Sequence, residues 1–167
     1  MSEFEIVEDE IKLKEERRKL EEKEWKKVKE YEDELRELKD DALIIVSYWS
    51  GLPWGSGGIF VTKNKELYRN KSLMQMNFEF FKTWKGIPEK AECSIQKVKE
   101  LTEEEYEKIS AFIENEIIDK EIEWQMIYDV GYSVKINYNG INKEIENDID
   151  TYEKAKKLLN ELAGSTD

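Results

Sequence analysis

The chain has 167 residues, a formal net charge of −12, no histidine and one cysteine. Without histidine, the Ser-His-Asp and Cys-His devices and the commonest metal ligand are excluded, and one cysteine cannot build a structural zinc site. The acidity argues against direct nucleic-acid binding, which needs clustered Lys and Arg to displace counterions. No catalytic, cofactor or metal residues are therefore expected. A cytoplasmic protein is expected too. MSEFEIVEDE is acidic where a leader would be basic and then apolar, ALIIVSYW is too short to span a bilayer, and Cys93 has no second cysteine to pair with.

The charge is segregated. Residues 42–99 are net +5, whereas 100–167 are net −11 and 1–41 are net −6. Either an acidic face steers a basic partner, or basic strands sit against acidic helices of the same fold.

From Glu8 to Asp41 there is no Gly or Pro, and Glu, Lys and Arg dominate. These are strong helix formers, and Glu15–Lys19, Glu22–Lys26 and Glu32–Arg36 have the favourable i,i+4 order. A charged helical, coiled-coil-like extension over 1–41 is predicted. Val28, Tyr31, Leu35 and Leu38 step toward Ala42 with coiled-coil spacing and are the candidate oligomer seam. Upstream, Leu13 and Leu20 are one heptad apart, the step from Leu20 to Tyr31 is a stutter, and Glu24 falls in the seam. The helix either pairs with another copy, or docks its C-terminal half on its own domain while the N-terminal half projects.

An α+β domain over 42–164 is predicted next, with a disordered tail over 165–167. ALIIVSYW reads as a buried strand. YWSGLPWGSGG follows, and it fails both phosphate-loop patterns: no Gly-Lys pair closes it, and the β-like IFVT comes after it instead of a helix. It reads as a corner between strands. Trp49 is expected to be buried, and Pro53 and Trp54 are candidates for an exposed protein-binding anchor. IFVT, ELYR, LMQMNFEFFKTW and AECSIQKVKEL read as strands, with a turn at Lys63-Asn64-Lys65, punctuation at Gly86 and Pro88, and Val98 out of phase. Cys93 reads as a core residue. Three to five strands are expected, mostly antiparallel, because no regular β-α-β alternation occurs.

Thr102-Glu-Glu-Glu105 is a capping box opening an amphipathic helix to near Glu116. Asn139-Gly140 predicts a hairpin, Asp150-Thr-Tyr-Glu153 a final amphipathic helix, and Gly164 its end. Asp129, Glu144 and Glu146 read as turn and solvent-face residues, not as an acid–base pair. Through Leu101-Thr102-Glu103-Glu104, Asp129-Val130-Gly131 and Tyr138-Asn139-Gly140, the region from Ala42 onward resembles uncharacterised bacterial α+β domains. That resemblance implies the fold and no catalytic residues.

The expected function is that of a non-enzymatic acidic protein-interaction module. Its sharpest version looks like the small acidic immunity proteins that block basic toxins. Glu103, Glu104, Glu114, Glu116 and Asp119 would steer the basic partner and Trp54 would anchor it. The alternative is an assembly protein that oligomerises through the N-terminal helix.

Overall fold

The computed structural model describes residues 3–51, 54–77, 87–121 and 130–164, with backbone alone at 54, 75–77 and 87–89. The predicted anchor Pro53, the turn residue Asp129 and the tail at 165–167 lie outside the described residues, as does the side chain of Trp54. The chain is α+β. Helix α1 (Glu3–Lys39) leads into strands β1 (Ile44–Gly51), β2 (Trp54–Val61), β3 (Glu66–Asn77) and β4 (Ile87–Glu100). Helix α2 (Glu103–Glu116), strands β5 (Val130–Tyr138) and β6 (Ile141–Glu146), and helix α3 (Ile149–Leu162) complete it. The six strands form one antiparallel sheet in the order β4-β3-β2-β1-β5-β6.

Period-two alternation gives the sheet two faces. Ile44 and Val46 of β1, Ile59 and Val61 of β2, Leu67 of β3, and Val134 and Ile136 of β5 share one face. There they form the main core with Ile109, Ile113 and Ile117 at α2, and with Tyr152, Ala155 and Leu159 of α3. The local signals place the helices. Thr102 caps α2 in the predicted box with Glu105. The cap of α3 is Asp148 instead of Asp150: its Oδ1 accepts from the Thr151 N–H at 3.0 Å, two residues earlier than the sequence pattern suggested. Asn139 and Gly140 take the positive φ of the hairpin turn.

ELYR and LMQM are one continuous strand, β3, and the out-of-phase Val98 is a bulge. Leu67 pairs with Lys99 and Tyr68 with Lys97, so Val98 is the extra residue and reaches the main core. The glycine-rich stretch does join two antiparallel strands, with Gly51 paired to Trp54, but most of it is strand, and Gly55, Gly57 and Gly58 lie within β2.

The second face of the sheet is covered by the C-terminal half of α1. Val28 packs with Met74 and Ala91, and the half-buried Cys93 leans on that cluster. The Asn70 Nδ2 donates to the Tyr31 hydroxyl at 3.0 Å. Phe60 and Tyr68 stack at 5.3 Å, and the Lys39 ammonium lies 5.5 Å over the Phe60 ring. Glu24, the charge in the apolar seam, is only 4% exposed. Its Oε2 accepts from the Ala91 N–H of the edge strand β4 at 2.7 Å, while Lys27 bonds Oε1 at 3.0 Å. The carboxylate therefore satisfies a strand-edge donor that a leucine would leave bare.

The Ala91 N–H, then Lys27, hold the Glu24 carboxyl below its ordinary value of 4.5. A lowered folded pKa contributes stability above the unfolded value and loses it as pH falls through the folded one. In urea unfolding, wild type should exceed Glu24→Gln in stability at pH 7, and the gap should close between pH 4.5 and more acidic values. Glu24→Ala should cost about 1–3 kcal/mol at pH 7.

Candidate functional site

The five carboxylates expected to steer a partner are all exposed on or just after α2. The fold already uses three of them. Glu103 pairs with Lys65, Glu114 accepts from the Tyr138 hydroxyl, and Glu116 lies 3.6 Å from Lys154. Glu104 and Asp119 have no such partner among the described residues. Part of the charge segregation is thus neutralised inside the fold. Lys65 and Lys99 come from the basic strand segment, and Glu103 and Glu105 from the acidic helix.

The glycines serve the aromatic residues of β1. Tyr48 pairs across to Gly57, and a Cβ there would sit 2.8 Å from the Tyr48 hydroxyl. Trp49 pairs across to Gly131 on the opposite face, where any Cβ would collide with the indole. Gly58 is required by backbone approach, since a Cβ would strike the Val46 carbonyl. Trp49 was expected to be buried but is 45% exposed. It packs flat over a glycine at the open end of the sheet instead of entering a core, and it shares a shallow cleft with Trp25 and Val28 of α1.

The seam of α1 divides in two. Val28 and Tyr31 are buried and Leu35 and Leu38 half-buried. Val28 and Tyr31 face this chain's own sheet, so the seam is occupied intramolecularly and is not free for a second copy. From Glu3 to Leu20 every residue is exposed. This arm is roughly 27 Å long at about 1.5 Å per residue. Ile6, Leu13 and Leu20 stand one heptad apart and are 46%, 51% and 41% exposed. At about 100° per residue they lie on the same side of the helix as Glu24, Val28 and Tyr31, so they prolong the docking stripe beyond its buried part. Ile6 was missed from the sequence because acidic residues surround it; the spacing Ile6–Leu13–Leu20 was the signal available.

Charge along the arm is also patterned. Residues 3–11 carry five acids and no base, and 12–19 carry five bases and two acids. The chemistry on offer is association. Glu66 is held low by the Tyr68 hydroxyl and Glu105 by Lys99, shifts that suit structural pairs and not general acids. Among the described residues no group of three or more His, Cys, Asp or Glu gathers to hold a metal. No helix there is long and apolar enough to cross a membrane. No family model matches the chain, and neither a curated protein nor a solved structure matches it.

Gly58→Ala should destabilise the fold by about 1–3 kcal/mol in urea unfolding, because the new methyl meets backbone that cannot swing aside. Gly140→Ala meets open space and should pay only for its positive φ, about 1 kcal/mol.

Proposed function

We propose that the protein is a non-catalytic, cytoplasmic interaction module that assembles through its N-terminal arm, which pairs antiparallel with the arm of a second copy. The observation that carries this reading is the arm itself. It is a solvated helix whose apolar stripe continues the docked seam with nothing among the described residues to cover it.

Charge complementarity selects the second copy and its direction. In a parallel pair the five-acid block would face itself, as would the basic block. An antiparallel pair centred on Leu13 sets residues 3–11, net −5, against residues 15–23, net 0. Leu13 then meets Leu13, Ile6 meets Leu20, Asp9 meets Arg17 and Glu8 meets Arg18. The repulsion of facing acid blocks is relieved, and both ends of the stripe are covered at once.

A second reading, the blockade of a basic protein, draws on Glu104 and Asp119, which are exposed without an ion partner among the described residues. It needs α2 and not the arm, so one variant separates the two.

Full-length protein should sediment as a dimer at micromolar concentration. Ile6→Glu/Leu13→Glu/Leu20→Glu should be monomeric with its thermal unfolding retained, since each lost leucine-sized contact raises the dissociation constant by about tenfold or more. A wild-type monomer would sink the assembly reading. In a pull-down from the native host, a basic protein that the triple variant still captures, and that salt releases, would establish the second reading instead.

A further inference from the structure

A cavity of about 420 Å³ lies on the main-core face, where α3 stops short of β4. Its floor is two rows of the sheet. One row runs Val46–Ile59–Arg69–Gln96 and the next Tyr48–Gly57–Lys71–Ser94, as the strand register dictates. Val46 and Ile59 make the floor apolar at one end. Toward β3 and β4 it becomes cationic and then polar, and Tyr152, Lys156 and Asn160 of α3 form the opposite wall.

Several lysines of the strands and loops are matched by a carboxylate. Lys65, Lys97, Lys99 and Lys120 each have a carboxylate partner. Arg69, Lys71 and Lys156 line the cavity with no salt-bridge partner among the described residues, although the Lys71 charge acts on Glu92 across β3 and β4. The nearest acid by register, Glu92, is paired with Lys90 at 2.9 Å. Arg69 is nevertheless held in place, because its Nη2 donates to the Oδ1 of Asn160 at 2.9 Å, and Asn160 is 8% exposed. An amide orients the guanidinium without neutralising it, which leaves the rest of its donors for another acceptor. Lys156 is one helical turn from Asn160, about 5.4 Å along α3, and Lys71 is two residues from Arg69 on the same face, about 6.8 Å away. Arg69 and Lys156 are half-buried and Lys71 is exposed, and like charges crowded this way repel one another, while a chain of net charge −12 has ample carboxylates to quench them. None forms a salt bridge with the three among the described residues.

We propose that this cavity binds a small organic phosphate, with Arg69, Lys71 and Lys156 taking the phosphate and the Tyr48 ring with the Val46–Ile59 floor taking its organic part. Three cations around several acceptor oxygens match a phosphate, and the guanidinium fork suits its geometry. Ser94 and Gln96 at the far wall supply further polar contacts. Gly57 lets the Tyr48 ring lie across β2 toward Lys71; any side chain there would push it out of the cavity. The volume falls within the usual range for a small-molecule site, about 300–1,000 Å³. The site is separate from the arm and does not depend on how the arm pairs.

The test is titration of the full-length protein, followed by calorimetry and amide chemical shifts. The probes are inorganic phosphate, pyrophosphate, adenosine 5′-monophosphate and, as an uncharged control, adenosine. The nucleotide should bind with a dissociation constant of about 1 mM or tighter, and adenosine at least about tenfold more weakly. Shifts should centre on Tyr48, Arg69, Lys71 and Lys156. Lys71→Gln/Lys156→Gln keeps the Arg69–Asn160 bond, so it should stay folded by circular dichroism and lose at least about tenfold in nucleotide affinity. The proposal is overturned if none of the three phosphates binds at about 10 mM. Binding of adenosine as strong as that of the nucleotide overturns it as well. So does unchanged affinity in the double variant, which would move the binding to the basic half of the arm, Lys12–Lys19.

Discussion

A carboxylate in the wrong-looking place organises this molecule. The sheet buries apolar side chains on both faces, and α2 and α3 cover only one of them. The other face is closed by α1, whose seam must cross the edge strand, and an edge strand presents bare N–H groups. Glu24 meets the Ala91 N–H there. With it in place, Val28 and Tyr31 can lie against Met74, Ala91 and Asn70 without burying an unpaired donor. The same contact shields part of an open sheet edge from pairing with other chains. It also stands near where the buried part of the helix ends, since from Glu3 to Leu20 every residue is exposed. The arm and the fold thus have a common origin.

Much of this could be read from the sequence, and the misses have physical causes. Capping boxes, the Asn139-Gly140 hairpin and helical amphipathicity are local, so their signals survive without tertiary context. The long helix was legible for the same reason, and so was its change of character near Glu24. What could not be read was relational. The glycines of β2 looked like a loop because glycine is depleted in strands. Their necessity lies in the Tyr48 ring and the Val46 carbonyl of a neighbouring strand, and in Gly131 the same role is played for Trp49. Trp49 looked like core because it ends an apolar run, yet alternation points it to the face that α1 only half covers. The cap of α3 slipped by two residues because Asp148 and Asp150 are both cap-type residues, and it is Asp148 that accepts from the Thr151 N–H while pairing with Lys120.

The charge distribution gains a different meaning from the fold. Seen linearly, an acidic C-terminal segment and a basic middle suggest an acidic surface awaiting a partner. In three dimensions the turn before β3 and strand β4 bring lysines to acids of the C-terminal segment, and part of the opposition is internal: Lys65 with Glu103, Lys99 with Glu105, Lys97 with Glu100. Exposed pairs of this kind contribute little individually, a median of about 0–1 kcal/mol. Their effect is to remove the simplest electrostatic argument for α2 as a docking face. Two features escape the neutralisation, and they have opposite sign patterns. The arm separates its charges along one helix, and the cavity beside α3 gathers three cations that form no salt bridge among the described residues.

These two features also differ in what burial does to them. Charges on the arm are fully hydrated, so their pairing energies are small, screened by salt and useful mainly for choosing direction; affinity there must come from Ile6, Leu13 and Leu20. The cavity is the reverse case. Arg69 and Lys156 are half-buried, their stems lie on the protein, and Arg69 is oriented by a buried amide. A cation with part of its hydration removed and no fixed counter-charge gains more from an anion than an exposed one does, because the field falls off less steeply away from water. The protein is acidic overall, yet its most preorganised free charge is positive, and it sits on the rigid sheet where a glycine and a tyrosine shape the floor. Selectivity for the organic part of a ligand would then follow from the apolar end of the cavity, and retention of its anionic part from the three cations.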